Sequence, residues 1–249
     1  MAIVANTFTS FDAKGIREEL SDVINMISPE DVPLQSNIGS KNVSNTYFEW
    51  QHDSLAATDT TARIDGDDVS SFDSTSATTR VGNYTQILRR TVIVADNLGS
   101  QDLAGRNDEM AMQIAKRGRE LKRDLEAVLT ANNAAVSGNS STARETAGLG
   151  AWIATNTVHQ SGGSPAGADP TGDGSDARTD GTQRAFTEDL LKGVLAQCAD
   201  AGSNPNLVLT GSFNKQAMSA FTGNNITRNV DSARGELQTS IDIYVSDFG

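Results

Sequence analysis

Between Thr46 and Val94 the chain reads as one long β-arm, and a helical pattern from Asn107 to Asn132 follows almost at once. Thr46–Gln51 is aromatic-rich with bulky groups on both faces, which predicts a strand buried on both sides. Arg80–Val94 predicts its partner, Ile87, Thr91 and Ile93 alternating with Leu88, Val92 and Val94. Unbroken, that strand would run roughly 50 Å at about 3.3 Å per residue. Asp65-Gly66 is a strong turn signal between the two. A two-stranded ribbon is marginal in water, and one this long cannot cover both faces with a small domain of its own. The arm is therefore expected to finish its packing on a neighbouring copy, which points to assembly rather than catalysis.

Length and composition fit that expectation. A chain of 249 residues allows one large domain or two small ones. Hydrophobic content of 37% and aromatic content of 5% are low for a compact enzyme, so part of the chain is expected to be loop, arm or partner-covered surface. A net charge of -12 argues against phosphate contacts over the whole surface, though not against a local basic patch. Cys198 is alone, so no intramolecular disulfide forms and no oxidising compartment is required. No apolar run approaches the roughly 20 residues that cross a bilayer.

Elsewhere the pattern alternates between helix and loop. Ile16, Leu20, Val23 and Ile27 share a stripe and predict a helix over Phe11–Ile27, stopped at Ser28-Pro29. In the long helix, Asn107 is placed to cap, with Asp108 and Glu109 at the positive end of the dipole. Met110, Ile114, Leu121, Leu125 and Val128 form its apolar stripe, and Lys116, Arg119, Lys122 and Arg123 lie opposite. Gly118, near the apolar edge, implies close packing. A short apolar island, Ala147–Ile153, contains Trp152, and 160–185 reads as a Gly/Ser/Asp-rich flexible loop. Thr187 then caps a helix ended by Gly202; Leu207–Leu209 and Ile241–Val245 read as strands and Phe213–Phe221 as a helix. The class is α+β. The chain stops just after its last strand, which suggests a further segment beyond Gly249.

Catalytic groups are scarce. His52 and His159 are the only histidines, each in a segment expected to lack rigidity, so a hydrolase built on either is the weaker reading. One Cys and two His make no structural zinc site without carboxylates. Asp169-Pro-Thr171-Gly-Asp173-Gly174-Ser-Asp176, with Asp180 beyond, loosely matches a calcium loop but lacks flanking helices and a final Glu. It reads as an acidic loop, with a calcium-stabilised binding or decoration module as the alternative. Asp247-Phe248-Gly249 copies a kinase tripeptide without its companions. The run Lys116–Arg123 suits ion pairing, as in Lys116–Glu120 and Lys122–Glu126, better than nucleic-acid contact, since no aromatics interleave it. No catalytic, cofactor or metal residue is assigned.

Specific stretches carry a resemblance. Phe11-Asp-Ala-Lys-Gly-Ile-Arg-Glu-Glu-Leu-Ser-Asp22, Ile27-Ser-Pro-Glu-Asp-Val-Pro33, Phe48-Glu-Trp50-Gln51 and Asp53-Ser-Leu-Ala56 resemble the N-terminal part of a family of tailed-bacteriophage major head proteins. So do Gly66-Asp-Asp-Val69, Val81-Gly-Asn-Tyr-Thr-Gln86, Ala115–Asp124, Asp180–Phe186 and Tyr244–Gly249, so the likeness runs from about residue 8 to 249. It implies the capsid fold shared by tailed phages and herpesviruses, in five parts. These are an N-terminal arm with a helix (1–45), an extended β-hairpin E-loop (46–96), a peripheral domain (97–159) with a spine helix (107–132), the loop (160–185) and an axial domain (186–249). It further implies a structural, non-enzymatic subunit of the virion, made in a bacterial host's cytoplasm. Hexamers and pentamers would enclose double-stranded DNA without reading its sequence or touching a membrane, alongside scaffolding, portal or decoration proteins. The expected inter-subunit contacts are Phe48, Trp50, Asp65, Gly66, Ile87, Leu88, Arg89 and Arg90, and no cofactor is expected.

Overall fold

The computed structural model describes residues 31–69, 71–99, 101, 103–159, 167–221, 230–231, 236–237 and 243–244. The expected helix Phe11–Ile27 lies outside the described residues. The architecture is mixed. Helices are α1 (Pro33–Asn37), α2 (Asp96–Gly99), α3 (Glu109–Thr130), α4 (Glu188–Asp200) and α5 (Ser212–Ser219). Strands β1 (Tyr47–His52) and β2 (Thr79–Tyr84) form one antiparallel pair, and β3 (Val230–Asp231) and β4 (Glu236–Leu237) another. The α+β expectation holds. The chain divides into two compact units, Met1–Asp31 with Arg89–Arg123, and Val32–Leu88 with Asp124–Gly249.

In the first unit the start of α3 is fixed by Asp108 rather than Asn107. Its carboxylate accepts from the amides of Met110 at 2.8 Å and Ala111 at 3.2 Å, taking up two donors that a helix start leaves unpaired. Glu109 is buried, paired with Arg106 and accepting from Gln113. Of the expected apolar stripe, Ile114 is 58% exposed. Gly118 does not mark close packing: a Cβ there would meet nothing within 4 Å. Arg117, not Lys116, pairs with Glu120 at 2.5 Å and holds that carboxyl below the usual range, with Arg90 and Lys116 adding to the effect.

In the second unit the hairpin is shorter than its sequence suggests. Tyr47 pairs with Tyr84 and His52 with Thr79, and Thr85 still donates to the Thr46 carbonyl at 2.9 Å. Beyond it the expected strand to Val94 does not form, because the partner chain has turned away before Thr46 and a strand needs a ladder for its backbone groups. On one face of the pair the Tyr47 ring lies over Gly82, where a Cβ would come within 2.6 Å of it, and meets Tyr84 at 4.7 Å. Only glycine permits that approach.

The remaining elements are small. Buried apolar side chains among the described residues are Val81, Ala147, Ala151, Leu191 and Met218. Helix α4 follows an extended Thr187 that makes no side-chain cap bond. It ends at Gly202, φ +78°, with Ser203 donating to the Cys198 carbonyl at 2.8 Å, the six-to-one closure that favours a left-handed glycine. Phe186 and Phe221 join the entry of α4 to the exit of α5, ring centres 5.5 Å apart. Leu207–Leu209 forms no strand and stays about half exposed, and no strand among the described residues pairs with it. Ile243 and Tyr244, the described part of the last expected strand, are not in one either; Tyr244 donates to Glu188 at 3.3 Å.

Candidate assembly site

The inner face of the hairpin is Phe48 and Trp50 on β1 and Val81 and Asn83 on β2, as their register requires. Phe48 stacks on Trp50 with centroids 6.0 Å apart, and Trp50 meets Trp152 at 4.9 Å. Trp152 in turn lies against Gly174, where a Cβ would come within 2.7 Å of its ring. Aromatic pairs at these separations add about 0.5–1.5 kcal/mol to what area burial gives. Trp50 nevertheless keeps 41% of its surface exposed, so β1 is not buried on both sides as its composition predicts.

Side-chain amides do the work that further strands would do. Buried Asn83 accepts from the Ala147 amide at 2.9 Å and donates to the Ala147 carbonyl at 3.4 Å. Gln86 accepts from the Thr146 amide at 3.1 Å, and Asn133 donates to the Thr146 carbonyl at 2.8 Å. The Gly148 amide closes on the Asn133 carbonyl at 3.1 Å. Residues 146–148 are thus held from two sides, with no orthodox ladder. Asn132 repeats the device on Arg178, donating to its carbonyl at 2.7 Å and accepting from its amide at 2.9 Å. Glu126 gives one oxygen each to the amides of Leu34 and Gln35, both at 2.8 Å, and so caps α1 from outside. The expected Lys122–Glu126 pairing gives way to this cap.

Past His52 the hairpin changes character. Every described residue from Asp53 to Thr78 is exposed, and none is in a strand. Leu55 is 99% and Phe72 92% exposed. The turn at Asp65-Gly66 forms as expected, with Gly66 at φ +82° and Asp67 donating to the Ile64 carbonyl at 3.0 Å. Ile87 is 80% exposed and borders a recess of about 420 Å³ with Ser137, Asn139, Thr142 and Arg144. Leu88 is half-buried, and Arg89 and Arg90 are both exposed outside any strand, so opposed strand faces do not separate them. The structure gathers Phe48 and Trp50 at the hairpin base and leaves Asp65 and Gly66 at its bare end.

Three carboxylates of the acidic loop, Asp169, Asp173 and Asp176, are tied to neighbouring groups. Asp169 accepts from Thr157 at 2.9 Å and pairs with Arg178 at 3.2 Å, and His159 Nδ1 lies 3.4 Å from its carboxylate. Asp173 receives the hydroxyl and amide of Ser175 and the hydroxyl of Thr171, which hold its carboxyl below the ordinary range in that order of effect. Asp176 accepts from the Thr171 amide at 3.0 Å. These carboxylates have partners within the chain, and the described residues contain no cluster of three or more metal-ligating side chains. His52 is exposed on β1. No helix among the described residues is long and apolar enough to cross a membrane.

A family model described as SU10 major capsid protein matches residues 3–249. The chain belongs to the SU10 major capsid protein family. Over 128 residues it is 35% identical to the major capsid protein of Escherichia phage Phieco32, a stretch that makes up 51% of this chain and 36% of that relative. The chain therefore aligns with little more than a third of that curated relative. Capsid-family membership makes the chain structural rather than enzymatic, in keeping with the sequence expectation.

Proposed function

We propose that this chain is the subunit of a phage head that assembles with copies of itself into hexamers and pentamers and closes around double-stranded DNA in the virion. One observation carries the reading. The hairpin is fastened at its base by Asn83 and Trp50, while its described distal residues, Leu55 and Phe72 among them, are exposed. Large apolar side chains left exposed along one segment, Leu55, Ile64 and Phe72, offer surface for a partner to cover.

On this reading residues 1–45 are the N-terminal arm, 46–96 the E-loop, 97–159 the peripheral domain with α3 as its spine, 160–185 a connecting loop and 186–249 the axial domain. Phe48, Trp50, Asp65, Gly66, Ile87, Leu88, Arg89 and Arg90 lie at contacts between copies. The acidic surplus suits a wall along which packaged DNA slides. Synthesis takes place in the host cytoplasm, and scaffolding, portal and decoration proteins are the further partners of such a shell.

Sedimentation and negative-stain imaging of the expressed chain test this directly. Rings or megadalton particles are expected, and a monomer at high concentration overturns the proposal. Trp50→Asp should give soluble protein without particles, whereas Trp50→Phe should still assemble.

A further inference from the structure

The chain contains three Asp-Gly dipeptides, Asp65-Gly66, Asp173-Gly174 and Asp180-Gly181, and no Asn-Gly. Aspartate before glycine has a chemistry of its own: with no Cβ in the way, the glycine nitrogen can reach the preceding side-chain carboxyl carbon. The structure gives the three sites different surroundings. Asp65-Gly66 lies in a stretch whose described residues are all exposed and outside any strand. Neither the Asp65 carboxyl nor the Gly66 amide makes a hydrogen bond among the described residues, and a Cβ on Gly66 would meet nothing within 4 Å. The turn is closed by one backbone bond, from the Asp67 amide to the Ile64 carbonyl at 3.0 Å. At Asp173-Gly174 the same atoms are held. One oxygen of Asp173 accepts from the Ser175 hydroxyl at 2.6 Å, the Ser175 amide at 2.9 Å and the Thr171 hydroxyl at 2.8 Å. Such bonds favour the ionised carboxylate, which a nitrogen attacks poorly. Gly174 is buried, its carbonyl accepting from the Ala135 amide at 2.8 Å, with the Trp152 ring where a Cβ would go. Asp180-Gly181 is intermediate: Asp180 is exposed, but Thr179 before it exchanges both backbone bonds with Ala168 at 3.0 Å.

We propose that Asp65-Gly66 is a modification site, at which the folded chain rearranges without an enzyme through a cyclic imide to isoaspartate, and that the fold protects the other two dipeptides. The Gly66 nitrogen bonds to the Asp65 side-chain carboxyl carbon, the amide proton is lost, and a carboxyl oxygen departs as water. The neutral carboxyl is the reactive form, so mildly acidic buffer favours this step. Water then opens the ring. Addition at the side-chain carbon restores aspartate. Addition at the Asp65 main-chain carbonyl breaks its bond to the Gly66 nitrogen, leaving the chain running through the side chain and a free carboxylate on the Asp65 Cα. One water leaves and one returns, with no oxidant or cofactor. The product adds a methylene to the backbone inside the turn, so the Asp67–Ile64 bond no longer closes the ring it closes now. The inference concerns the separate chain and does not rest on the shell reading.

Ageing in heavy-oxygen water tests it. Full-length chain, kept dilute and folded in mildly acidic buffer, takes up a solvent oxygen each time an imide opens. Digestion and electron-transfer mass spectrometry then place both the label and the isoaspartate. Label and isoaspartate are expected at residue 65 several times faster than at 173, with 180 between them. In concentrated urea the three rates should draw together, because the dipeptide is the same and only the fold separates them. Ser175→Ala should speed labelling at Asp173 and leave Asp65 as it was. Asp65→Glu, whose ring would need an extra carbon, should abolish isomerisation at that position, and an isoaspartyl methyltransferase should then label the aged chain far less. Asp65 turning over no faster than Asp173 in the folded chain overturns the proposal. A lead for Asp65 that persists undiminished in urea overturns the protection by the fold, as does an unchanged rate at Asp173 in Ser175→Ala. Methyltransferase labelling that Asp65→Glu does not reduce overturns the assignment to residue 65.

Discussion

Asn83 on β2 makes both hydrogen bonds of a strand neighbour with Ala147, a residue sixty-four positions away, and does so from a buried site. Its Oδ1 also receives the Tyr84 amide at 2.9 Å. Asn83→Ala would strand the Ala147 amide and carbonyl without water or partner. Unfolding in urea should show a loss of about 1–3 kcal/mol, while a control Ser74→Ala on the exposed loop changes little. Equal midpoints for the two variants would show that the Asn83 bonds contribute nothing.

Helix α3 carries Gly118 with open space where a Cβ would go. Replacing it with alanine should stabilise the isolated subunit by about 1 kcal/mol through helix propensity alone. Thermal melts of dilute protein check this. If stability rises as expected while assembly fails, the open space at Gly118 is filled by another copy.

Glu126 holds α1 by its backbone, and α1 has no buried residue of its own. Glu126→Ala should release the segment, at a cost of about 1–2 kcal/mol for two charge-assisted bonds in a part-buried site. Hydrogen exchange read by NMR should show the Leu34 and Gln35 amides accelerating while those within α4 hold steady. Unchanged exchange at the two amides would sink the assignment.

Asp173 titrates below the ordinary aspartate value of 3.8, chiefly because the Ser175 hydroxyl and amide bond its ionised form. A depressed folded value means that its contribution is complete above the unfolded value and is lost as pH falls through the folded one. The 171–176 loop should therefore keep its structure down to about pH 4 and loosen only below that. Carbon-detected NMR titration should place the wild-type midpoint low and move it upward in Ser175→Ala. A midpoint unmoved by that substitution refutes the cause given.

Periodic segments were the legible part of this chain. The spine-like helix, the helices after Thr187 and Phe213, and the Asp65-Gly66 turn all follow from spacing and turn chemistry, because local rules govern them. Strand length was not legible: Arg80–Val94 has the right alternation, but a ladder ends where its partner leaves, and alternation carries no information about the partner. The anchoring amides of Asn83, Gln86, Asn132 and Asn133 were invisible for the same reason, since a polar side chain that replaces a strand looks like a loop residue. Two adjacent asparagines at a helix end were the available signal. Glu126 was masked by a plausible helical partner four residues away.

Trp50 and Trp152 are the chain's two tryptophans, and they lie against each other at the hairpin base. Indole emission from this protein therefore comes from a single place. A change in its intensity or wavelength reads the seating of the hairpin on its own subunit, not the folding of α4 or α5, which carry no indole. Light scattering and indole emission recorded together in one cuvette would thus report two separate things, the gathering of copies and the packing of the hairpin base within each subunit.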